Sequence, residues 1–253
     1  MKRSPSNQGS TVDALFISPH LDDAVLSASL TIRALVAKNK LVSVITLFSC
    51  GSEHRNPAIA SFLQQSNATS GTSLFHQRKI EDARALATLG IKHVTHLLFV
   101  DALFRSVNGR LLYPTFDNLF SGRVVREDNY TKAEVLQALL SLRQNMTKNR
   151  VPIYTCLGVG NHVDHVMTYE TVTSVFGNHP IFFWEDVPYR NIPEWLFGRL
   201  AAVSTPLKRI AVEIPKESGR KERAVRCYRS QLTGLVQNGL NRLDYIHEVL
   251  YER

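Results

Sequence analysis

The sequence has few cysteines and no long apolar run. Its three cysteines, Cys50, Cys156 and Cys227, are odd in number and far apart. This argues against a disulfide framework or a paired-cysteine zinc finger and is typical of a reduced, cytoplasmic protein. No stretch approaches the ~18 consecutive apolar residues of a membrane-spanning helix. No apolar segment follows the basic start of the chain, so residues 1–12 are interpreted as a loose tail rather than a signal peptide.

The composition is that of an ordinary globular protein. The chain has 253 residues, of which 44% are hydrophobic and 21% charged. This is enough for one good core, and a single α/β domain commonly reaches this length. No internal repeat or linker divides the chain, so we predict one domain over residues 1–253.

Positive charge is in excess. The net charge is +8, and the stretch Tyr189–Arg229 contributes ten Lys or Arg against four Asp or Glu. Basic faces attract phosphate, so nucleic acid is one interpretation. Because no RNP, zinc-finger or Gly-rich nucleic-acid signature accompanies the charge, we instead expect a small anionic substrate or a plain solvated face, and no nucleic-acid partner.

Strand-like and helix-like patterns alternate along the chain. A buried strand is predicted at Ala14–Ser18, followed by a helix from Asp22 whose apolar positions recur with helical spacing. The stretch Ser52–Ser73 is polar and is expected to be a long loop. The other predicted strands are Leu41–Phe48, His96–Val100, Val151–Leu157 and Ile181–Trp184, and the other predicted helices are Arg78–Gly90, one behind a capping box at 131–134, Lys221–Leu232 and Leu240–Tyr251. This alternation predicts an α/β fold with a mostly parallel sheet covered by helices on both faces.

The first reactive cluster follows the first predicted strand. His20, Asp22 and Asp23 stand where an apolar run breaks and a helix begins. Carboxylates at a helix start can simply cap free N–H groups. That interpretation leaves His20 unexplained, and two adjacent carboxylates repel each other unless a cation is near. A metal site with His20 and Asp23 as ligands would still need a third ligand from elsewhere in the chain.

The second cluster, His162-Val163-Asp164-His165, follows another predicted strand. Ligands bind at the carboxyl ends of strands in such sheets, so the two clusters are expected to meet. One of the two histidines can bind metal, while the other, held by Asp164, stays free for proton transfer. Two solvated loop histidines are the alternative interpretation.

These residues resemble a known family. Ser18-Pro19-His20-Leu21-Asp22-Asp23 is similar to the (A/S)HPDD-type signature of the PIG-L/LmbE-like de-N-acetylases, and His162-Val163-Asp164-His165 to their downstream HxDH motif. The resemblance implies a Rossmann-like fold and zinc-dependent removal of acetyl from an N-acetylglucosamine-type sugar. It also implies a role for each matching residue: His20, Asp23 and His165 would bind the metal (zinc, or iron in its place), Asp22 would be the general base, His162 would stabilise the oxyanion and donate a proton, and Asp164 would orient His162.

Two weaker matches and three departures accompany the resemblance. Arg78, in a segment similar to the family's R-x-x-E helix, and Asp101, at a strand end, correspond to positions that contact the sugar. Leu21 stands where the family usually has proline, and Ala24 where Glu often stands. Some members carry tyrosine at the position of Gly160, so oxyanion stabilisation is expected to depend more on His162.

The expected function is therefore a metal-dependent hydrolase of an acetylated amino sugar or glycoconjugate. Two alternatives stay open: an amidase acting on another acylated amine or thiol conjugate, and a non-catalytic sugar- or phosphate-binding protein. The Ser52–Ser73 loop is expected to act as a substrate lid. Trp184, Glu185, Asp186 and Tyr189 are candidates for a further wall, although ordinary packing is the favoured interpretation for them. The sequence does not indicate an oligomeric state.

Overall fold

The structure is a computed structural model that describes residues 12–146, 150–212 and 219–253. Strands and helices alternate through most of this length. The strands are β1 Ala14–Ser18, β2 Val42–Cys50, β3 His93–Val100, β4 Ser106–Val107, β5 Arg110–Leu111, β6 Ile153–Cys156, β7 Ile181–Trp184, β8 Lys208–Ala211 and β9 Val249–Glu252. The helices are α1 Asp23–Ala37, α2 Pro57–Gln65, α3 Gly71–Thr88, α4 Phe116–Leu119, α5 Asn129–Gln144, α6 Val163–Val175, α7 Pro193–Ala202, α8 Gly219–Val225 and α9 Leu232–Gln237.

Seven strands form one sheet in the order β3-β2-β1-β6-β7-β9-β8. The first five of these are parallel, whereas β9 pairs antiparallel with both β7 and β8. The predicted mostly parallel α/β sheet is thus confirmed. Its strand order reverses between β1 and β6, and the crevice at such a reversal is where open α/β sheets bind ligands.

The side chains of β1 alternate between two hydrophobic clusters on opposite faces of the sheet. Phe16 belongs to a cluster with residues of α1, α3 and α8. Ile17 belongs to a second cluster with residues of α5 and α6. All of β1 is buried, as expected for a central parallel strand covered on both faces. In the part of the chain that the structure describes, no helix combines the length and the apolar character needed to cross a bilayer.

The expected loop over Ser52–Ser73 is wrong. The segment contains α2 and the first residues of α3. Asn56 caps α2 by accepting a hydrogen bond from the backbone N–H of Ile59, and Pro57 occupies the first turn, where proline is well tolerated. Ile59 and Leu63 are buried. The polar composition, rich in Ser, Asn and Thr, gave no signal for this short helix. The segment packs against the core through α2 and is not one long loop.

The C-terminal prediction also fails. In place of a helix over Leu240–Tyr251, the chain forms a short 3-10 turn and then β9. Of the predicted helix Lys221–Leu232, only Lys221–Val225 is helical, as part of α8, and α9 begins at Leu232; β8 was not predicted. Short elements of this kind depend on tertiary pairing more than on local pattern.

Two smaller expectations concern the start of α5 and the tail. The predicted capping box at 131–134 lies inside α5, which begins at Asn129. The predicted tail over residues 1–12 lies outside the described residues except for Val12, which is buried in the core.

Candidate active site

The two predicted clusters meet at the strand-order reversal. His20 follows β1, and His162 directly precedes α6 after β6 ends. The centroids of these two imidazole rings are 4.8 Å apart, although the residues are far apart in sequence. Both residues are buried. The structure therefore brings the two clusters together, as the sequence predicts.

A tight turn holds the first cluster. The backbone N–H of His20 donates to Asp23 Oδ2 at 2.8 Å. Ser18 Oγ donates to the carbonyl of His20 and accepts from the N–H of Ala24. Asp22 occupies the N-cap position of α1 yet makes no capping hydrogen bond through its side chain. The turn therefore directs the carboxylates of Asp22 and Asp23 towards the crevice. Asp22 does not serve as a simple helix cap.

Three atoms that could bind a metal ion form a nearly equilateral triangle, which we call the ligand triangle. His20 Nδ1, His165 Nε2 and Asp23 Oδ2 are separated by 3.2, 3.3 and 3.3 Å. A tetrahedral zinc site with bonds of about 2.0–2.1 Å has ligand atoms about 3.3 Å apart. The separations and the donor types, two imidazole nitrogens and one carboxylate oxygen, therefore fit a three-ligand metal site.

Each histidine of the triangle is held by a carboxylate on its other ring nitrogen. His165 Nδ1 lies 2.8 Å from Asp186 Oδ1, and His20 Nε2 lies 3.2 Å from Asp164 Oδ2. Burial lowers the pKa of His165, but the facing charge of Asp23 and the hydrogen bond to Asp186 outweigh it and raise that pKa to about 9. Carboxylate partners of this kind orient metal-binding histidines and increase their basicity.

The carboxylate of Asp164 contacts His20, a partner that the sequence did not predict. Its carboxylate contacts His20, the backbone N–H of Ala102 and the guanidinium of Arg105, whereas its backbone N–H donates to His162 Nδ1. Because Asp164 lies in the first turn of α6, its side chain points across the crevice to the end of β1. Instead of the expected carboxylate–His162 pair, Asp164 supports His20, and only its main chain holds His162.

Asp22 lies beside the triangle without belonging to it. Its Oδ2 is 3.2 Å from a guanidinium nitrogen of Arg78. Burial raises the pKa of Asp22 to about 6; the negative charge of Asp23 adds to the rise and the positive charge of Arg78 opposes it. A carboxylate with such a pKa can accept a proton and release it again near neutral pH.

His162 is held as a neutral donor. Its Nδ1 accepts the backbone N–H of Asp164 at 3.2 Å, so the proton of the neutral ring resides on Nε2. Burial, together with the positive charge of His20, lowers its pKa well below the usual value. The neutral imidazole therefore presents Nε2–H as a hydrogen-bond donor.

Arg78 and Asp101 both line the same cavity, which has a volume of about 370 Å³. Arg78 contacts Asp22, as described. Asp101 lies directly after β3, and its Oδ2 is 3.5 Å from His20 Nε2. All eight site residues proposed from the sequence are thus at or beside one cavity, but their contact with a substrate stays a prediction.

The sequence named Asp186 and Tyr189 only as candidates for a further wall, and it did not identify several other residues at or near this cavity. Asp186 was expected to be ordinary packing, although its place just after β7 carried the same strand-end signal as Asp101. Tyr189 lines the cavity, and its ring centroid is 6.0 Å from that of His165. No sequence signal identified Arg105, or the aromatic side chains of Phe120 and Trp195, which reach the cavity from other elements.

Gly160 explains how Tyr189 can approach. Gly160 has φ +85°, and a Cβ added there would lie 2.9 Å from Cγ of Tyr189. A side chain at position 160 would therefore displace the tyrosine ring. The departure from the family pattern noted at Gly160 is matched by an aromatic ring that reaches the same space from another part of the chain.

Comparison with known proteins agrees with the fold. The chain is 27% identical, over 217 residues and 78% of both proteins, to 2'-N-acetylparomamine deacetylase of Niallia circulans. The zinc-inhibited form of teicoplanin deacetylase Orf2 has a TM-score of 0.77 at 25% identity, covering 94% of this chain and 97% of that one. The A40926 pseudoaglycone deacetylase Dbv21, at 21% identity, shares the fold with a TM-score of 0.70 over 96% and 97% of the two chains.

The family match covers the region that builds the site. Residues 15–176 match the family described as PIG-L, GlcNAc-PI de-N-acetylase. This region begins in β1, ends just after α6 and includes both histidine clusters. Since the match covers more than half of the chain, the protein belongs to the PIG-L family of de-N-acetylases.

Proposed function

We propose that the protein is a metal-dependent N-deacetylase that hydrolyses the acetamide of an N-acetylglucosamine-type sugar or glycoconjugate. The observation that carries this proposal is the ligand triangle of His20, His165 and Asp23. The carboxylate of Asp22 lies beside the triangle and is not part of it. Family membership and relatives named as deacetylases support the same reaction.

The metal is proposed to be held by His20, His165 and Asp23, with zinc as the first candidate and ferrous iron as the second. When bound, a divalent cation supplies Lewis-acid chemistry, polarising a carbonyl and lowering the pKa of water from ~15.7 towards ~7. Asp186 and Asp164 fix the orientation of the two imidazoles and add negative charge that favours a cation.

Asp22 is the proposed general base. It accepts the proton of the water that attacks the acetamide carbon, and its raised pKa lets it pass that proton to the departing amine. His162 donates from Nε2 to the oxyanion that develops on the carbonyl oxygen, which is often the largest single contribution to catalysis. Arg78 keeps Asp22 in place, and with Asp101 is proposed to bind sugar hydroxyls. The products are acetate and a free amino sugar.

The experiment that tests this function combines metal analysis of the purified protein with an acetate-release screen over N-acetylglucosamine derivatives. We expect stoichiometric metal and acetate from at least one derivative. Asp22→Asn should retain the metal but lower kcat by about 10²–10⁴, the usual contribution of general acid–base catalysis.

Wild-type kcat in the Asp22→Asn variant would refute the assignment of the base. His20→Ala serves as the matched comparison, since it should lose both metal and activity. If the wild-type protein holds no metal and releases no acetate from any derivative, the proposed function is wrong.

Two other functions fit parts of the site less well. An amidase for another acylated amine would use the same residues, and analysis of the released acid, acetate against a longer acid, separates it from a deacetylase. A sugar- or phosphate-binding protein would have no need of a buried carboxylate with a raised pKa beside the ligand triangle.

A further inference from the structure

The cavity changes character with distance from the ligand triangle. At its floor, His162 contacts the ring of Phe120, with centroids 5.2 Å apart. Phe120 in turn stacks on Trp195 at 6.2 Å and an interplanar angle of 25°. Phe116, one helical turn before Phe120, also lines the cavity. An aromatic series therefore runs outward from the catalytic floor.

The outer members of this series are exposed. Phe116 is 42% and Trp195 38% exposed, whereas His162 is 5% exposed. Leu235 of α9 lines the same cavity and is half-buried. Leaving large apolar side chains in water forgoes stabilisation, and apolar side chains grouped at the rim of a cavity mark a ligand-binding groove.

Positive charge is scarce in the same cavity. Among the described residues that line it, Arg78 is the one Lys or Arg, and it is paired with Asp22. Basic residues of the stretch Tyr189–Arg229 are engaged elsewhere: Arg190 pairs with Asp244, Lys221 with Glu248, and Arg226 with Glu222. The excess charge noted in the sequence therefore does not supply an anion site beside the catalytic floor.

We propose that the substrate is an N-acetylated amino sugar linked to an uncharged apolar aglycone, and that the aglycone lies against Phe116, Trp195 and Leu235. This inference rests on the proposed deacetylase function and specifies its substrate class. The acetamide must lie at the floor, next to His162 and Asp22. The group at the open rim is then the part of the substrate that extends away from the amide, which is the aglycone and not the acyl group.

The test compares acetate release from β-glycosides of N-acetylglucosamine with methyl, butyl, hexyl and phenyl aglycones, all below the concentration at which they aggregate. We expect kcat/KM to rise at least about tenfold from methyl to hexyl, since each buried methylene adds favourable transfer free energy. In Trp195→Ala, the ratio of the hexyl to the methyl kcat/KM should fall towards one.

Phe197→Ala is the matched control. Phe197 is on the same helix as Trp195, is 67% exposed and does not line the cavity. This variant should keep the wild-type ratio. A second series keeps the methyl glycoside and lengthens the N-acyl group to butyryl and hexanoyl, which distinguishes an acyl site from an aglycone site.

The outcomes separate the inference from the function on which it rests. Equal kcat/KM for all aglycones, a preference for longer acyl groups, or highest activity on a polycationic N-acetylated aminoglycoside would overturn the inference and leave an amide hydrolase. Equal loss of the ratio in Trp195→Ala and Phe197→Ala would also overturn it. Acetate release from none of the compounds would overturn the proposed function and the inference together.

Discussion

At the scale of single residues, the neighbouring carboxylates at the start of α1 face different partners. Asp23 faces His20 and His165, while Asp22 faces Arg78. Two neighbouring ionised carboxylates would repel each other in a buried crevice, and the different cations that they face give them different pKa values. The pKa of Asp23 is held well below its usual value despite burial, by the charge and hydrogen bond of His165, whereas burial raises that of Asp22.

Asp186 provides a test of the residues around the ligand triangle. Asp186→Asn weakens the carboxylate partner of His165, so metal affinity should fall about 10–100-fold, the range found for such supporting groups. Competition with a chelator of known affinity measures this. Glu185→Gln is the control, because Glu185 is also buried and adjacent but contacts Tyr251 and Arg190 instead of His165. Unchanged affinity in Asp186→Asn would show that its hydrogen bond to His165 does not support the ligand.

Gly160 provides a second test at this scale. Gly160→Ala should lower stability by more than the ~1–3 kcal/mol of backbone strain at positive φ, because the new methyl group also meets the Tyr189 ring. It should also lower kcat/KM for acetate release by displacing Tyr189 from the cavity wall. Chemical denaturation and steady-state kinetics measure the two effects.

Gly109→Ala separates strain from contact. Gly109 has φ +75°, and a Cβ there would meet nothing within 4 Å. This variant should show the strain cost alone, with unaltered kinetics. Identical kinetic behaviour of the two alanine variants would show that displacing Tyr189 does not affect activity.

At the scale of elements, the helical conformation of α1 is interrupted, and a distant segment accepts hydrogen bonds from the N–H groups after the interruption. Ala28 has a non-helical conformation, with φ −136° and ψ 16°. The N–H groups of Leu30 and Thr31 donate to the carboxylate of Glu248, which precedes β9 and also pairs with Lys221 of α8. The break lies on the helix that carries Asp23, so this buried group connects the C-terminal segment to the helix that lines the candidate active site.

Removing that carboxylate should destabilise the fold strongly. Glu248→Ala leaves a buried, unpaired Lys221 and two buried N–H groups without their acceptor, and breaking a buried ion pair costs about 3–5 kcal/mol. Urea denaturation measures the loss. Glu222→Ala removes an exposed pair with Arg226 and should scarcely move the midpoint. Equal effects of the two substitutions would contradict the role given to Glu248.

At the scale of the whole molecule, the sheet buries tyrosines whose titration affects stability at high pH. Tyr154 stacks between Phe16 and Phe182. Burial raises its pKa to about 12, and the pKa of Tyr251 is raised to about 12 by burial and the charge of Glu185. In the unfolded chain a tyrosine titrates near pH 10. Between about pH 10 and 12 the folded state therefore holds more protons than the unfolded state.

Stability should consequently fall as pH rises through this window. Each tyrosine that stays protonated only when folded contributes a slope of up to about 1.4 kcal/mol per pH unit. Denaturation curves from pH 9 to 11.5 measure the slope, and Tyr154→Phe should make it shallower by up to one proton. A slope in Tyr154→Phe identical to that of the wild type would show that Tyr154 is not protected.

The sequence by itself determined the alternating strands and helices and the proximity of the two histidine clusters. Apolar runs such as Ala14–Ser18, and the helical spacing after Asp22, predict the alternating elements, because a strand covered on both faces must be apolar throughout and a covering helix must present one apolar stripe. Reactive residues directly after β1 and β6 predict that His20 and His162 meet, because the carboxyl ends of parallel strands lie along one edge. The polar composition of Ser52–Ser73, in contrast, concealed α2.

Only the tertiary structure decided how the site residues are paired. The assignment of Asp164 to His20, the support of His165 by Asp186 and the approach of Tyr189 to Gly160 all join segments that are distant in the chain. The same is true of β9, which forms because β7 and β8 offer it partners. Hydrogen-bond partners are chosen by direction and distance in the folded state, and the spacing of residues along the sequence does not encode these quantities.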